Sequence, residues 1–567
     1  MTTLTAPIPR SRIAAPATRP GPFAYTVGQV RLAMLLALFA LLTLAVVGRI
    51  GWLAAAGAQA NTPQRAMLGA GRADIVDRNG VPLARTIEAW SVGIHPAKVI
   101  GDKARLAVEL NRLMPEKTVA QYRAILSSGR TFTYLRRRAM PELVAAVNAL
   151  GEPGMALARE PERLYPQATL AAHVLGYLDF DGRGVTGMER LLDERLLQAG
   201  PGGAPVALSI DSRVQAALES ELDFARVKHS AIGASGVIVD VRTGEVVAMA
   251  SQPVYNPNRP GRTAPETLRN NMTQSVYELG STFKPLTLAN AIEHRVVTDL
   301  SKKWDASHAL AIGRFRITDF KGENRPLTAV EMLVYSSNIV TARVADAVGA
   351  ERQIALFRRL GFDRPPEIEL KEKGWPLFPK DWGRATLLTT GYGHGIAVTP
   401  LHLASAYAAL VNGGVMRPLS LLKRDPAHLP EGRRVFSEET SRTMRGLLRM
   451  VVIDGSGKNA NVAGYRIGGK TGTADKNRGG RYGINARVST FASAFPMDDP
   501  RYVVIVSLDE PRPTADTYGY ATAGWTAAPI VGRLVPRIGP MLGVFPDVNR
   551  EADIGHLIPL VWKPKRG

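Results

Sequence analysis

The chain of 567 residues contains no cysteine, and this absence excludes two kinds of chemistry. Neither a disulfide framework nor a thiol nucleophile can form, and the lack of cysteine is compatible with a location outside the cytoplasm. Metal-binding patterns are missing too, because the nine histidines are scattered and show no His-x-x-x-His or Cys-x-x-Cys spacing that would suit a metal. We therefore expect no catalytic metal and no cofactor.

Long basic runs are also missing, although the formal net charge is +21, from 71 lysines and arginines against 50 acidic residues. Nucleic-acid-binding proteins usually have clustered basic stripes on a recognisable module. The longest basic run in this chain is the three arginines at 136–138. We expect no nucleic-acid partner, and the charge fits either an anionic membrane or cell-wall surface or a solvated basic face.

Only one stretch is long and apolar enough to span a bilayer. Residues 32–48 are uncharged, and extending the stretch to residue 53 gives 22 residues, or about 33 Å of helix. A basic tail at 1–31 without any acidic residue precedes it and is typical of disorder. Arg49 is expected at the outer edge of the membrane beside Trp52.

Two interpretations of this stretch remain. A cleaved signal peptide is one, because Ala-Gln-Ala at 58–60 resembles a cleavage site. A permanent anchor is favoured, because the apolar run is longer than a usual signal core and the preceding tail is long. The arginines before the run outnumber those just after it, which predicts a cytoplasmic N-terminus. Residues from about 54 to 567 would then form one block outside the cytoplasm.

The length of the block predicts two or more folded units. The predicted boundaries are residues 61–205 for a first domain that mixes short strands and helices, 206–545 for a larger domain, and 546–567 for a C-terminal tail. "GASGVIVDVRTGEVVAMAS" is expected to form a hairpin, and "ARVSTFASAF" and "RYVVIVSLDE" two later strands. Strands early and late with helices between them indicate an antiparallel sheet flanked by helices, an α+β fold.

The stretch "YELGSTFKPLT" at 277–287 places Ser281 three residues before Lys284 and follows the lysine with Pro285. Proline fits a helix only in about its first turn, so a helix should begin near Ser281. Residues three apart share a helix face, which brings the lysine beside the serine. A lysine kept neutral by burial and nearby positive charge can activate a serine hydroxyl. A solvated lysine on a helix is the simpler interpretation of this pattern alone.

Two more motifs follow in order. "YSSNIV" contains Ser336 and Asn338, and "IGGKTGTA" contains Lys470. Alone, the first could be a turn between helices and the second a hairpin end. The glycines of "YRIGGKTGT" however predict a strand without bulky side chains, which another backbone, such as an added peptide strand, can approach closely.

These three motifs, in this order, resemble the penicillin-binding serine acyltransferases. "GRADIVDRNGVPLA" and "ERLYPQATLAAHVLGYLDFDGRGVTGMERLLDERL" are similar to the class B, monofunctional peptidoglycan transpeptidases, and "GYGHGIAVTPLHLASAYAALVNGG" resembles the division-specific (septal) branch. The resemblance implies one N-terminal transmembrane helix, an elongated α/β pedestal domain and a transpeptidase domain. The sequence differs from the usual family pattern at Ala73, Leu279 and His402, and none of these residues takes part in the chemistry.

The resemblance also implies catalytic roles. Ser281 would attack the carbonyl between two D-alanines of a stem peptide, and Lys284 would accept its proton. Ser336, helped by Lys470, would pass a proton to the leaving amine. Asn338 would orient the base and bind the substrate backbone.

Three further residues would bind substrate. Thr471 and Thr473, with Gly472 between them, would hold the terminal carboxylate of the donor peptide or of a β-lactam. The backbone N–H groups of Ser281 and Thr473 would form the oxyanion hole. Expected partners are peptidoglycan stem peptides, β-lactam antibiotics, a polytopic septal glycosyltransferase and other division proteins, with the catalytic domain in the periplasm at the septum.

Several alternatives are weighed against this function. An elongation-specific transpeptidase would use the same chemistry at another location. A carboxypeptidase or β-lactamase would use water as the acceptor, and the long segment before residue 205 argues against both. A penicillin-binding sensor would need a sizeable signalling module on the inner side of the membrane, and the 31-residue tail offers little. A division scaffold with little turnover would have lost some of the motif residues, and all of them are present.

Overall fold

The structure is a computed structural model, and it describes residues 27–68, 71–478 and 481–562. The chain divides into two compact units, Met1–Met67 and Leu68–Gly567. The predicted tail at 1–31 lies mostly outside the described residues, as do residues 563–567. The second unit begins later than the predicted domain boundary at residue 61, because the N-terminal helix continues to Leu68.

Helix α1, Val27–Leu68, belongs to the first unit except for its last residue. Within it, Val30–Trp52 is apolar over 23 residues and has no buried side chains, and about 35 Å of helix spans the hydrocarbon of a bilayer. It is the one helix of this length and composition in the described chain. The Arg49 guanidinium lies 4.7 Å from the centre of the Trp52 ring, a pairing suited to a membrane interface.

The second unit begins with a small mixed sheet and six helices. A turn at 77–80 joins the first two strands, and Asp77 accepts hydrogen bonds from the N–H groups of Asn79 and Val81 (both 2.8 Å). The sheet order is β3-β2-β1-β5, with β4 also paired to β2. The strands are β1 Ile75–Val76, β2 Pro82–Ile94, β3 Thr133–Ala139, β4 Met155–Leu164 and β5 Val206–Ala207. The helices are α2 Lys103–Leu113, α3 Val119–Leu126, α4 Pro141–Asn148, α5 Ala172–Leu175, α6 Gly187–Leu191 and α7 Asp193–Ala199.

A five-stranded antiparallel sheet of order β12-β13-β14-β6-β7 organises the larger domain. The predicted hairpin is β6 and β7, and the two predicted late strands fall in β13 and β14. The strands of this sheet are β6 Gly233–Asp240, β7 Val246–Gln252, β12 Gly468–Arg478, β13 Arg481–Phe495 and β14 Tyr502–Asp509. Two separate hairpin-like pairs are β8 Leu310–Ile312 with β9 Phe315–Ile317, and β10 Val415–Met416 with β11 Arg433–Arg434. Strand β12 lies at one end of this order, so it has a single neighbouring strand in the described chain.

Helices cover both faces of this sheet. Alternate residues of β6 point to opposite faces, so Ile238 packs with Leu218 and Leu534 on one face, and Val237 packs with Leu286 and Leu403 on the other. The helices are α8 Ser212–Lys228, α9 Lys284–Glu293, α10 Ala329–Val334, α11 Asn338–Val348, α12 Ala350–Arg359, α13 Arg384–Gly391, α14 Pro400–Val411, α15 Glu438–Ile453, α16 Ala523–Thr526 and α17 Ala528–Ile538. The α+β prediction of a sheet flanked by helices is confirmed.

The segment after residue 546 is part of the larger domain as far as it is described. Ile554, Leu557 and Val561 are buried in its core. The Trp562 N–H donates to the Glu331 carboxylate at 3.0 Å, which ties the segment to α10. The predicted C-terminal tail therefore packs on the domain up to Trp562, because its apolar residues complete the core beside α15 and α10.

Candidate active site

The predicted nucleophile lies in a tight turn that leads into α9. Residues Gly280–Phe283 form a 3₁₀-helix, and the Lys284 N–H donates to the Ser281 carbonyl oxygen. Pro285 occupies the first turn of α9, as predicted, where its missing N–H costs no hydrogen bond. The first turn is thus tighter than the α-helical turn that the sequence suggested. Ser281 is half-buried, whereas Lys284 is fully buried.

Ser336 links the two buried lysines. Its hydroxyl oxygen accepts from Lys284 Nζ at 3.1 Å and from Lys470 Nζ at 2.9 Å. Lys284 also donates to the Ser336 backbone oxygen. The backbone of Ser336 lies in the left-handed region, at φ +60°. Such a conformation costs a non-glycine residue about 1–3 kcal/mol and persists only where the surrounding contacts maintain it.

The environment of the lysines favours their neutral forms. Burial lowers the pKa of Lys470 from its ordinary value of 10.5 to about 7. Burial, and secondly the charge of Lys470, lower the pKa of Lys284 well below that ordinary value, while the carboxylate of Asp319 acts in the opposite direction. A lysine held neutral near pH 7 can accept a proton from a hydroxyl group. The environment of Lys284 favours the neutral form that a base requires, and its role as the base remains a prediction.

Strand β12 passes directly against the Ser281 turn. A Cβ atom on Gly472 would lie 2.4 Å from the backbone oxygen of Leu279 and 2.7 Å from Cγ2 of Thr282. Glycine at this position is therefore needed for the approach of the protein's own turn. From the sequence we predicted that the glycines of β12 allow an added peptide strand to approach. For Gly472, the backbone that approaches is the protein's own, at residues 279–282.

Thr471 and Thr473 lie on β12 with different partners. The Thr471 hydroxyl is 2.6 Å from the Ser456 hydroxyl, and the Lys470 ammonium also donates to the Thr471 backbone oxygen (3.0 Å). The Thr473 hydroxyl accepts from the Ala523 N–H at 3.0 Å. These contacts fix the orientation of both threonine side chains beside the lysine pair.

Aromatic contacts connect the two sides of the site. The rings of Tyr520 and Trp525 stack with centroids 6.2 Å apart and an angle of 12° between their planes. Lys321 Nζ lies 5.0 Å from the centre of the Tyr520 ring. A cation–π contact of this kind between exposed groups contributes about 0.5–1 kcal/mol. It joins the loop before α10 to the loop before α16.

Asn338 has a different partner from the predicted one. Its side-chain amide donates to the backbone oxygen of Thr318 at 2.9 Å, and the hydrogen bonds of this amide within the described chain do not include Lys284. Its N–H donates to Asp319 Oδ1 at 2.5 Å. Asp319 belongs to none of the three motifs. It precedes Ser336 by seventeen residues, and no known spacing between an acidic residue and this motif would have identified it from the sequence.

Comparisons with known proteins agree with this geometry. The penicillin binding protein transpeptidase domain matches residues 234–532, and the penicillin-binding protein dimerisation domain matches residues 68–196. A transpeptidase domain with two buried lysines beside its helix-flanked sheet, preceded in the chain by a dimerisation domain, is the arrangement of a penicillin-binding protein. The chain belongs to the penicillin-binding protein transpeptidase family.

Individual relatives are similar over most of their length. "Probable peptidoglycan D,D-transpeptidase FtsI" of Caulobacter vibrioides is 40% identical over 484 residues, covering 83% of this chain and 82% of the relative. "Peptidoglycan D,D-transpeptidase FtsI" of Escherichia coli K12 is 31% identical over 520 residues, covering 86% of each. The crystal structure of penicillin binding protein 3 from Mycobacterium tuberculosis, complexed with aztreonam, has a TM-score of 0.67 at 26% identity and covers 84% of this chain and 98% of that one. The predicted family, fold and enzyme class are confirmed.

Proposed function

We propose that this protein cross-links peptidoglycan stem peptides by serine acyl transfer during septal wall synthesis and is acylated by β-lactams. The observation that supports it most directly is the Ser336 hydroxyl, which hydrogen-bonds to two buried lysines at 2.9 and 3.1 Å. That cluster lies beside the turn that holds Ser281, the half-buried serine of the first motif. The names of the relatives, D,D-transpeptidases, agree with this function.

The first half-reaction acylates the enzyme. Ser281 Oγ attacks the carbonyl carbon between the two D-alanines, and neutral Lys284 takes the hydroxyl proton. The new Ser281 O–C bond forms, the C–N bond breaks, and the terminal D-alanine leaves as an amine. Ser336, hydrogen-bonded to both lysines, passes the proton from Lys284 to the leaving nitrogen, so the charge on the enzyme is restored.

Binding of the donor uses β12. The strand lies at the end of the sheet order, so an extended peptide can add along its free edge. Lys470, Thr471 and Thr473 are the candidates for the carboxylate of the terminal D-alanine. The N–H groups of Ser281 and Thr473 are the candidate oxyanion donors, and the loss of one such donor typically costs about 2.7–4 kcal/mol of transition-state stabilisation.

The second half-reaction releases the enzyme. An amine of a neighbouring stem peptide attacks the acyl carbon, a new amide bond forms, and the Ser281 O–C bond breaks. The amine proton returns to Ser281 Oγ through the same lysine and serine groups. A β-lactam follows only the first half: its ring C–N bond breaks, and the Ser281 ester remains.

Membrane location and partners complete the proposal. Val30–Trp52 would anchor the chain in the cytoplasmic membrane, with its N-terminus in the cytoplasm and its catalytic domain in the periplasm. A polytopic glycan polymerase of the division machinery would supply the glycan strands. A fluorescently tagged copy should concentrate at midcell, and a side-wall pattern would instead support an elongation role.

Labelling of the full-length protein with a fluorescent penicillin tests the mechanism. Wild type should form one covalent adduct that maps to Ser281, and Ser281→Ala should form none. Ser301→Ala, at a serine whose side chain bonds to Asp299 on the surface, is the matched control and should label like wild type. An adduct of equal strength in Ser281→Ala would contradict the assignment, and a normal labelling rate in Lys284→Ala would remove the proposed base.

A further inference from the structure

Asp319 is a carboxylate at the start of α11 that the three motifs do not include. It lies between β9 and α10 and is half-buried. Its Oδ1 accepts from the N–H of Asn338 at 2.5 Å and of Ile339 at 3.0 Å, and its Oδ2 accepts from the Ser337 hydroxyl at 2.7 Å. Three donors of one helix start thus converge on one carboxylate that is remote from them in sequence.

These contacts satisfy the first turn of α11. The first N–H groups of a helix have no partner within the helix. Asp319 accepts the first two, and the Ser337 hydroxyl, as N-cap, accepts the third, from Val340, at 3.1 Å. A negative charge at this end is also favoured by the helix dipole. The start of α11 is therefore held from outside the helix.

Ser336 directly precedes this fixed turn. Its backbone is left-handed, at φ +60°, and needs contacts that hold it there. Both of its neighbours on the C-terminal side, Ser337 and Asn338, are tied to Asp319. The hydroxyl that meets Lys284 and Lys470 is thus placed by a backbone that Asp319 anchors.

Asp319 also contributes the negative charge that faces Lys284. The other titratable groups around that lysine are Lys470 on β12 and His394 in the segment that packs behind the Ser281 turn. Burial and Lys470 lower the pKa of Lys284, and Asp319 opposes them. His394 is mostly buried, and its pKa is lowered by burial and secondly by the charge of Lys284, while Asp475 acts in the opposite direction. It therefore adds no further positive charge beside Lys284 at neutral pH.

We propose that Asp319 is a positioning residue of the acyl-transfer site, which holds the Ser336 hydroxyl between the two lysines and sets the charge balance around Lys284. The inference rests on the proposed function. Asp319 is not assigned a contact with substrate. It acts through the α11 start and through the electrostatic field at the base.

A matched control exists elsewhere in the domain. The Glu293 carboxylate accepts from the N–H and the hydroxyl of Ser437, both at 2.9 Å, and Ser437 is the N-cap of α15. This is a related arrangement, in which a distant carboxylate binds the N-cap serine of a helix. No motif residue belongs to it, so Glu293→Gln reports the structural cost of such a contact alone.

The experiment measures the second-order acylation rate of the full-length protein by a fluorescent penicillin across pH, together with the thermal midpoint. Asp319→Ala should acylate about 10–100-fold more slowly than wild type, since small misplacements of reacting groups have effects of this size. Glu293→Gln should lower the thermal midpoint with little change in rate. Ser337→Ala, which keeps the carboxylate, should slow acylation without moving the pH profile.

Asp319→Asn separates charge from position. It keeps an oxygen for the two N–H groups but removes the negative charge that stabilises the Lys284 ammonium. The pKa of Lys284 should then fall further, and because acylation requires neutral Lys284, the acidic limb of the rate profile should move to lower pH. A purely structural role would lower the rate without moving this limb.

Two results would overturn the inference. One is an Asp319→Ala rate within about twofold of wild type. The other is a loss of rate in both Asp319 variants that their lowered thermal midpoints explain in full, while the acidic limb of the rate profile stays at its wild-type pH. Failure of the proposed function looks different, because wild type would then form no adduct at Ser281. An adduct at Ser281 with unaffected Asp319 variants would reject this inference alone.

Discussion

Lys470 Nζ lies 2.9 Å from Ser336 Oγ, although 134 residues separate the two along the chain. Lys284 Nζ, on a third segment, lies 3.1 Å from the same oxygen. One hydroxyl therefore connects two ammonium or amine groups, neither of which is exposed to solvent. Bringing these groups together has an electrostatic cost, because burial disfavours the charged form of each lysine.

The cost predicts that removing Lys470 stabilises the fold. Lys470→Met replaces a buried, ionisable group by an apolar one of similar length, and the free energy of unfolding at pH 7 should increase by about 0.5–2 kcal/mol, the usual size of a single stabilising substitution. Acylation by penicillin should be strongly reduced in the same variant. Thermal unfolding in detergent and penicillin labelling measure the two effects.

The stabilisation should depend on pH. The pKa of Lys470 is about 7 in the folded protein and 10.5 ordinarily, so between these values the unfolded chain binds one more proton. The stability of wild type therefore rises with pH across this window. The difference between Lys470→Met and wild type should be largest below pH 7 and decrease as the pH rises from 7 towards 10.5. A difference that is independent of pH would contradict the burial of an ionisable lysine.

A second prediction concerns the contact between β12 and the Ser281 turn. Gly472→Ala would place a Cβ atom 2.4 Å from the Leu279 backbone oxygen, which cannot move aside like a flexible side chain. The clash should lower the free energy of unfolding by about 1–3 kcal/mol. It should also slow acylation at Ser281 at least tenfold, because the turn that holds the nucleophile must shift.

Gly555→Ala is the control for this change. No heavy atom lies within 4 Å of a Cβ built on Gly555, so this variant should match wild type in both thermal midpoint and acylation rate. A normal rate in Gly472→Ala would mean that the strand and the turn are not in contact in the working enzyme.

The sequence predicted the parts of this site that depend on local patterns. Pro285 limits where α9 begins, and alternating valines and isoleucines around Gly244 indicate the β6–β7 hairpin. The three-residue spacing of Ser281 and Lys284 is a local pattern, whereas the grouping of Lys284 with Ser336 and Lys470 was predicted only from the resemblance. Each of these features is visible in a few consecutive residues or in a motif.

Other parts could not be predicted because they depend on contacts between distant segments. The left-handed backbone of Ser336 is unfavourable for serine and is maintained only by its surroundings. The position of the Asp319 carboxylate at the start of α11, and the orientation of the Asn338 amide towards Thr318, both depend on how the loop before α10 packs on α11. Residues 546–567 were predicted to be a C-terminal tail, yet Ile554, Leu557 and Val561 lie in the core of the domain.

A last prediction concerns the first domain of the larger unit. Glu189, on α6, is fully buried between two arginines: Arg163 on β4 lies 2.7 Å from it and Arg72, before β1, lies 3.1 Å from it. Arg72 also pairs with Asp193 at 2.6 Å. One carboxylate thus joins a strand, a helix and the start of the sheet.

Glu189→Gln keeps the shape of the side chain but leaves two buried guanidinium groups without their shared counter-charge. Removal of one partner from a buried ion pair destabilises a protein by about 3–5 kcal/mol, so the first domain should unfold at a lower temperature in calorimetry. Glu109→Gln is the control, because its partner Arg112 is 69% exposed at 3.0 Å, and exposed pairs contribute about 0–1 kcal/mol. Penicillin should still acylate the folded transpeptidase domain of Glu189→Gln at the wild-type rate. Equal unfolding temperatures for the two variants would show that the buried cluster does not stabilise this domain.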